Sequence, residues 1–230
     1  MTRHIRPYKI FELIEDPPPE RTVNLTLPHR RGGGGTTLLE TALIIAATRI
    51  VKARRAFEFG TFYGGNTLSL ALNMPGDGEI TTLDLDEGVA AKAVQHPADA
   101  PLTRKHLLAR STLDFAGSPV AGKIRVLTGD STTFDFSQWK RSVDFLFIDG
   151  GHDLTTVTSD TANARAMACL EKPSCIMWHD YGNRDYPDLT SYLDELSREL
   201  EIFHIEDTML CVWFNDPGAS IVPRLSNQAN

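Results

Sequence analysis

The sequence predicts an α/β protein built on one open, doubly wound, mostly parallel sheet of seven strands, with a C-terminal antiparallel hairpin strand. Three observations carry that expectation. Short β-branched and aromatic runs alternate with helical apolar stripes along most of the chain, the pattern of a parallel sheet with helices on both faces. The run Val143-Asp144-Phe145-Leu146-Phe147-Ile148 is nearly continuous in apolar residues, as a parallel strand covered on both sides requires. Near the end, Ile202–Ile205 and Met209–Phe214 flank Glu206-Asp207-Thr208, a strand–turn–strand hairpin.

The totals bound the class. At 230 residues the chain is long enough for one such domain with a full core. Its hydrophobic share of 41% and charged share of 23% are those of a soluble globular protein. A formal net charge of −7 argues against broad nucleic-acid binding, which usually needs basic surfaces. Cys169, Cys175 and Cys211 form no C-x-x-C pair, so neither a disulfide framework nor a zinc knuckle is expected. The basic N-terminus has no apolar run behind it, and the stretch from Leu38 to Val51 is too short and too interrupted to span a bilayer. A soluble, cytoplasmic protein without membrane contact is the expectation.

In chain order, residues 1–35 read as an N-terminal extension. Asp16-Pro17-Pro18-Pro19 favours an extended polyproline segment. Pro28-His29-Arg30-Arg31 and the run Gly32 to Gly35 read as a flexible joint, or as a flap whose arginines touch an acidic substrate group. The extension can also serve as a dimer arm. Thr37-Leu38-Leu39-Glu40 is a capping box opening an amphipathic helix over 37–53. Ala56–Phe59 is the first strand, and 66–74 a helix stopped by Pro75-Gly76. Ile80–Asp84 is the second strand. The region 87–117 is mostly helical, interrupted at Pro97 and Pro101. Ile124–Leu127, Val143–Ile148 and Cys175–Trp178 are strands three to five, with helices over 154–168 and 189–200 between and after the last two. The main α/β domain is expected over 36–216, with 217–230 a tail.

The chemistry gathers at strand ends. Phe57-Glu58-Phe59-Gly60-Thr61-Phe62-Tyr63-Gly64-Gly65-Asn66-Thr67 reads as strand, glycine-rich turn and helix start, so the backbone can approach a nucleotide-like ligand closely. Each of the five strands carries a carboxylate at or near the edge where such sheets bind ligands: Glu58, Asp84 with Asp86, Asp130, Asp149 and Asp180. A dinucleotide fingerprint wants glycine where Phe62 stands, and its ring would crowd a pyrophosphate. An acidic rim suits a phosphate-free, positively charged cofactor with a ribose diol, which describes S-adenosylmethionine.

These pieces are similar to the class I S-adenosylmethionine-dependent methyltransferases, of the small bacterial O-methyltransferase-like type, with a Rossmann-like fold. The resemblance rests on Glu58–Thr67, Thr82-Leu83-Asp84-Leu85-Asp86, Gly129-Asp130-Ser131 with Phe134-Asp135-Phe136, Phe147–His152 and Trp178-His179-Asp180-Tyr181, and it spans residues 37–215. It implies that Glu58 and the Gly60–Gly65 turn (Gly60, Thr61, Phe62, Tyr63, Gly64, Gly65) bind the methionine part, with Asn66 and Thr67 also at the cofactor. Asp84, with Leu85, would hold the ribose, and Asp130 and Ser131 would sit beside the adenine, with Asp149 completing the site. Phe62, and Lys172-Pro173-Ser174-Cys175 in place of a Pro-Gly-Gly turn, depart from the family pattern.

Methyl transfer needs an aligned and deprotonated acceptor. Two devices are available. Asp149 and Asp180, with His179 or His152 nearby, can share Mg²⁺ or another divalent metal, as in related metal-dependent O-methyltransferases. Alternatively His152 acts as general base without metal, beside Asp149. Tyr63, Tyr181, Trp139 and Trp178, or the loop Asn183-Arg184-Asp185-Tyr186, can line an acceptor pocket. The expected activity is O-methylation of a small molecule by a protein that can form a homo-oligomer. Rival readings are hydroxylase-like chemistry on the same fold, a non-catalytic cofactor-binding subunit, and an RNA methyltransferase, the last disfavoured by the net charge.

Overall fold

The computed structural model describes residues 2–27, 35–93, 95–109 and 113–226. The Pro28–Gly34 part of the expected flap lies outside them. The strands are β1 (Arg3–Ile5), β2 (Arg55–Phe59), β3 (Glu79–Asp84), β4 (Ile124–Thr128), β5 (Phe145–Ile148), β6 (Ser174–Trp178), β7 (Phe203–Ile205) and β8 (Cys211–Asn215). They form one sheet in the order β1-β7-β8-β6-β5-β2-β3-β4. Every pairing is parallel except those of β8, which runs antiparallel to both β6 and β7. The fold class is the expected one, with eight strands where seven were anticipated. The eighth is β1, whose three residues pair with β7. It is too short and too exposed to show an alternating pattern in the sequence.

The helices are α1 (Pro7–Glu12), α2 (Leu38–Ile50), α3 (Gly65–Asn73), α4 (Glu87–Ala90), α5 (Ala100–Ala109), α6 (Leu154–Met167), α7 (Pro187–Leu196) and α8 (Val222–Ser226). The capping box of α2 is formed, with the Glu40 N–H donating to Thr37 Oγ1 at 3.2 Å and the Thr37 N–H to Glu40 Oε2 at 2.7 Å. Two proline expectations are corrected. Pro101 does not interrupt a helix but sits in the first turn of α5, where its missing N–H would have no intrahelical partner anyway. Pro18 opens a short 3₁₀ turn over Pro18–Arg21 rather than continuing an extended segment, for the same reason. No helix among the described residues is long and apolar enough to cross a membrane.

The period of two along buried strands sorts the core into two layers. Phe145 and Phe147 face α2 and α3, in a cluster that also takes Ile10 and Leu13 from the N-terminal segment and Leu225 from α8. Phe57, Phe59, Leu146, Ile148 and Trp178 face the other way, toward α6 and α7. Each such ring or aliphatic side chain removed from water contributes about 1.5–3 kcal/mol.

Registers set the site. Phe59 pairs with Leu83 on one side and Ile148 on the other, and Ile148 pairs with Trp178. Gly60, Asp84, Asp149 and His179 therefore come off four neighbouring strands at one level. The ladder runs one residue further, with Gly60 N–H to Leu83 O at 2.9 Å, Asp149 N–H to Phe59 O at 2.9 Å and His179 N–H to Ile148 O at 3.0 Å. Strand order reverses between β2 and β5, which opens a crevice there.

Candidate active site

At that crevice lies a cavity of about 390 Å³. Its wall on the β2 side is the glycine turn. Gly60 has φ +93°, and a Cβ there would lie 2.2 Å from the Asp149 carbonyl oxygen, so the turns after β2 and β5 touch only because this residue has no side chain. Phe62 adopts φ +48° and lines the cavity. The turn is pinned by Asp84, whose Oδ2 accepts the Thr61 and Phe62 N–H groups at 3.1 and 3.0 Å, while Oδ1 accepts that of Leu85 at 2.7 Å. His106 Nε2, from α5, lies 2.9 Å from the same Oδ2.

Ten of the residues assigned from the sequence to cofactor, metal or catalysis line the cavity (Gly60, Phe62, Asp84, Leu85, Asp130, Ser131, Asp149, His152, His179 and Asp180), and so do Asn183, Asp185 and Tyr186 of the expected acceptor loop. Others stand behind it. Glu58 faces α3, where its Oε2 accepts the hydroxyls of Thr67 at 2.5 Å and Thr82 at 2.7 Å. Complete burial pushes its carboxyl up to about 8, against the pull of those two hydroxyls. Thr61 shares a hydrogen bond with Thr82, Tyr63 packs on Phe62, Gly64 precedes α3 with φ +85°, and Asn66 Oδ1 accepts the Thr36 hydroxyl. Trp139 and Trp178 pack in the core, the latter donating Nε1–H to Thr161.

The opposite wall holds a connected set of acids and imidazoles. His152, in the turn after β5, places Nδ1 at 2.9 Å from Asp99 Oδ1 and Nε2 at 2.8 Å from Asp180 Oδ2. Burial alone would lower its basicity, but the two carboxylates override it and raise the imidazole to about 10. Asp99 also accepts the His152 backbone N–H at 3.0 Å and the Tyr186 hydroxyl at 2.7 Å. The Tyr186 ring lies flat on the imidazole, with centroids 4.1 Å apart and planes 11° apart.

His179, only 4% exposed, directs Nδ1 at Asp180 Oδ2, 3.0 Å away, and Asp149 Oδ1, 3.3 Å away. Its other nitrogen faces Glu40 Oε1 at 3.5 Å. Burial opposes a charge on His179, yet Asp149, Asp180 and Glu40 together hold its basicity well above the ordinary value. The partners move the other way: burial would raise Glu40 and Asp180, but hydrogen bonds from His179, joined at Asp180 by His152, carry both down, Glu40 to about 2. Asp180 sits at φ +64°, a left-handed conformation that aspartate tolerates. Asn183 Nδ2–H holds its Oδ1 there at 2.5 Å.

Among the described residues, Asp149, His179 and Asp180 form the one group with three ligand atoms close enough to share a metal ion. Two carboxylates and one imidazole suit a borderline-hard divalent cation. Among the described residues that line the cavity there is no lysine or arginine; the ionisable lining is aspartate and histidine, with Tyr186.

Sequence reasoning missed Asp99, Glu40, His106 and Asp160 as parts of this site. Asp99 follows Pro97-Ala98 in a segment without periodicity, and Glu40 has a complete explanation as a helix cap. Only the fold shows that its second oxygen supports His179.

The site is thus a glycine turn at a strand-order switch on a Rossmann-like α/β fold, with an acidic rim and no lysine or arginine among the described residues that line it. Residues 57–181, more than half of the chain, match the family model described as a methyltransferase domain, and the chain belongs to this family of class I, S-adenosylmethionine-dependent methyltransferases. It is 31% identical over 80 residues to mouse "Catechol O-methyltransferase domain-containing protein 1", a stretch that is 34% of this chain and 30% of that protein. The chain thus spans about a third of the length of this curated relative. Two solved structures share the fold. One is the O-methyltransferase TomG from Streptomyces achromogenes, involved in tomaymycin synthesis and in complex with SAM, with TM-score 0.55, 15% identity and coverage of 80% of this chain and 82% of that one. The other is the S-adenosylhomocysteine-bound methyltransferase PaMTH1 from Podospora anserina, with TM-score 0.56, 14% identity and coverage of 92% and 89%.

Proposed function

We propose that this protein transfers the methyl group of S-adenosylmethionine to a hydroxyl oxygen of a small molecule, with a divalent metal held by Asp149, His179 and Asp180. The observation that carries this reading is the juxtaposition, on one edge of the sheet, of that ligand set with the His152–Asp99 pair beside the glycine turn. The donor set fits a cation well. Nδ1 of His179 already meets Asp149 and Asp180, so a cation there would take the place that a proton otherwise holds between them. The cofactor fits through the glycine turn, which borders the cavity at Gly60 and Phe62, and through Asp84, which lines the cavity where a ribose diol would lie.

When bound, the cofactor supplies a methyl already activated by its sulfonium, and the metal would lower the acceptor's pKa and orient it. The chain's own residues do the rest. With Asp99 at Nδ1 and Asp180 at Nε2, the His152 imidazole holds both protons; a cation that drew the Asp180 carboxylate away from Nε2 would leave a neutral ring with its proton at Nδ1 and its lone pair at Nε2. Nε2 is then the atom that takes the acceptor's proton, with Tyr186 holding the ring in plane. Asn183 and Asp185, which also line the cavity, border the acceptor.

The test is incubation with S-adenosylmethionine, Mg²⁺ or Mn²⁺ and a panel of phenolic and sugar hydroxyl acceptors, following S-adenosylhomocysteine and methylated product by mass spectrometry. Product from one acceptor class supports the reading. Tight cofactor binding with no product from any acceptor would favour a non-catalytic subunit instead.

A further inference from the structure

Away from the crevice, the edge strand β1 brings two imidazoles together. His4 on β1 and His204 on β7 are direct partners in the parallel register, so their side chains stand on the same face of the sheet. Their Nδ1 atoms are 3.1 Å apart, and the rings meet edge to face with centroids 4.9 Å apart. The Tyr181 ring packs on His204 from the inner side, its centroid 4.8 Å away. Neither histidine belongs to the Asp149–His179–Asp180 group.

The hydrogen bonds fix which nitrogen is available. His204 Nε2 lies 2.9 Å from the Thr208 backbone carbonyl, which can only accept, so Nε2 carries the ring proton and Nδ1 keeps its lone pair. Burial holds the basicity of His204 below its ordinary value; the Thr208 carbonyl and Glu206 pull the other way, and His4 adds to the lowering. The ring is therefore neutral at neutral pH, the form that binds a metal. An imidazole whose second nitrogen donates to a backbone carbonyl is also the usual arrangement behind a metal-bound histidine.

The spacing suits an ion as well as a proton. Two nitrogens 3.1 Å apart, each about 2.0–2.1 Å from a common Zn²⁺, subtend about 100° at the ion, near the tetrahedral angle. His4 is exposed, so its ring can turn its own lone pair inward, the Nδ1 proton passing through solvent to Nε2. Glu206 favours positive charge at His204. Its side chain is 43% exposed and meets Arg6 only at 3.9 Å, which leaves it free to add a carboxylate ligand.

We infer that His4 and His204 form a metal site of their own, for Zn²⁺ or a similar borderline divalent ion, which ties the edge strand β1 to β7. β1 is three residues long and pairs with β7 alone, so a bond across this pair adds directly to the hold on the N-terminal segment. An ion that binds only the folded chain raises its unfolding temperature.

The test is titration with Zn²⁺, by calorimetry and by thermal unfolding, of the Asp149→Asn, Asp180→Asn double variant, in which the ligand set at the crevice is removed. That protein should still take up one Zn²⁺ per chain. Its unfolding temperature should rise with Zn²⁺ and not with Mg²⁺, which prefers oxygen ligands. Adding His4→Ala or His204→Gln should each weaken binding about tenfold or more, the least that disturbing a metal's surroundings costs, and remove the rise. His204→Gln keeps an amide N–H for the Thr208 carbonyl, and cooperative unfolding without metal checks that both variants fold. Wild type should likewise bind one Zn²⁺ more than its His4→Ala variant, whatever the crevice holds. No uptake by the double variant overturns the proposal. So does uptake that survives either histidine substitution unchanged, since one imidazole alone would then suffice.

Discussion

Asp99 and His152 are joined twice: one carboxylate oxygen lies 2.9 Å from Nδ1 of the imidazole, and the other accepts the backbone N–H of the same residue at 3.0 Å. A doubly tethered partner fixes ring position as well as tautomer, and the stacked Tyr186 closes the third direction. Asp99→Asn should therefore lower kcat by roughly 10–100-fold, a fraction of what a general base contributes, while leaving cofactor KM nearly unchanged. Tyr186→Phe removes only the bond to Asp99 and should cost less than Asp99→Asn. Steady-state kinetics on both variants checks the order; equal losses in kcat and in cofactor affinity would mean that Asp99 merely supports the fold.

The Asp149–His179–Asp180 cluster predicts that metal removal and ligand removal act alike. Chelator treatment should abolish most turnover, and Mn²⁺ or Mg²⁺ should restore it. Asp149→Asn and Asp180→Asn should lose activity that no added metal restores. Native mass spectrometry of the wild type incubated with Mn²⁺ should show a bound ion that is absent from the double variant. Full turnover by metal-free protein would leave His152 as the sole device for deprotonating the acceptor.

Much of this architecture was legible because its signals are local. The continuous apolar run of β5, the capping box at Thr37 and the glycines around Phe62 each dictate their own conformation, and registers follow from them. The acidic rim was legible for the same reason, since a strand's end fixes where its next residue points. What was not legible is anything that depends on two distant segments meeting. Asp99 reaches His152 across 53 positions of chain, and Glu40 reaches the Met209 N–H across 169. β1 escaped because three residues hold no period. Glu58 was placed correctly on its strand, yet the pleat aims it at α3 and the hydroxyls of Thr67 and Thr82.

Gly60 gives a stability prediction that also reports on the site. Gly60→Ala would have to adopt φ +93° and would set its Cβ 2.2 Å from a backbone oxygen of Asp149. The conformation alone costs about 1–2 kcal/mol, and the clash with backbone cannot be relieved by a side-chain rotation. The variant should melt well below wild type and lose cofactor affinity at temperatures where it is still folded. Gly76→Ala, at a position where a Cβ meets nothing within 4 Å, is the control and should do neither.

Glu58 predicts how stability depends on pH. Its carboxyl is raised from 4.5 to about 8 in the folded protein, so the folded state holds a proton that the unfolded chain releases. Below about pH 4.5 both states are protonated and the full contribution is present. As pH rises toward 8 the unfolded state alone ionises and stability falls; above 8 both are ionised and the loss stops. Each unit of difference is worth about 1.4 kcal/mol, so the total reaches a few kcal/mol for a side chain with no exposure to screen it. Glu58→Gln keeps an oxygen to accept from Thr67 and Thr82 but has no proton to lose. Urea unfolding at pH 5 and pH 8 should show the wild type losing more stability over that interval than Glu58→Gln does. Parallel losses in the two proteins would mean that Glu58 is ionised inside the fold, with its charge balanced by some group other than the two threonines.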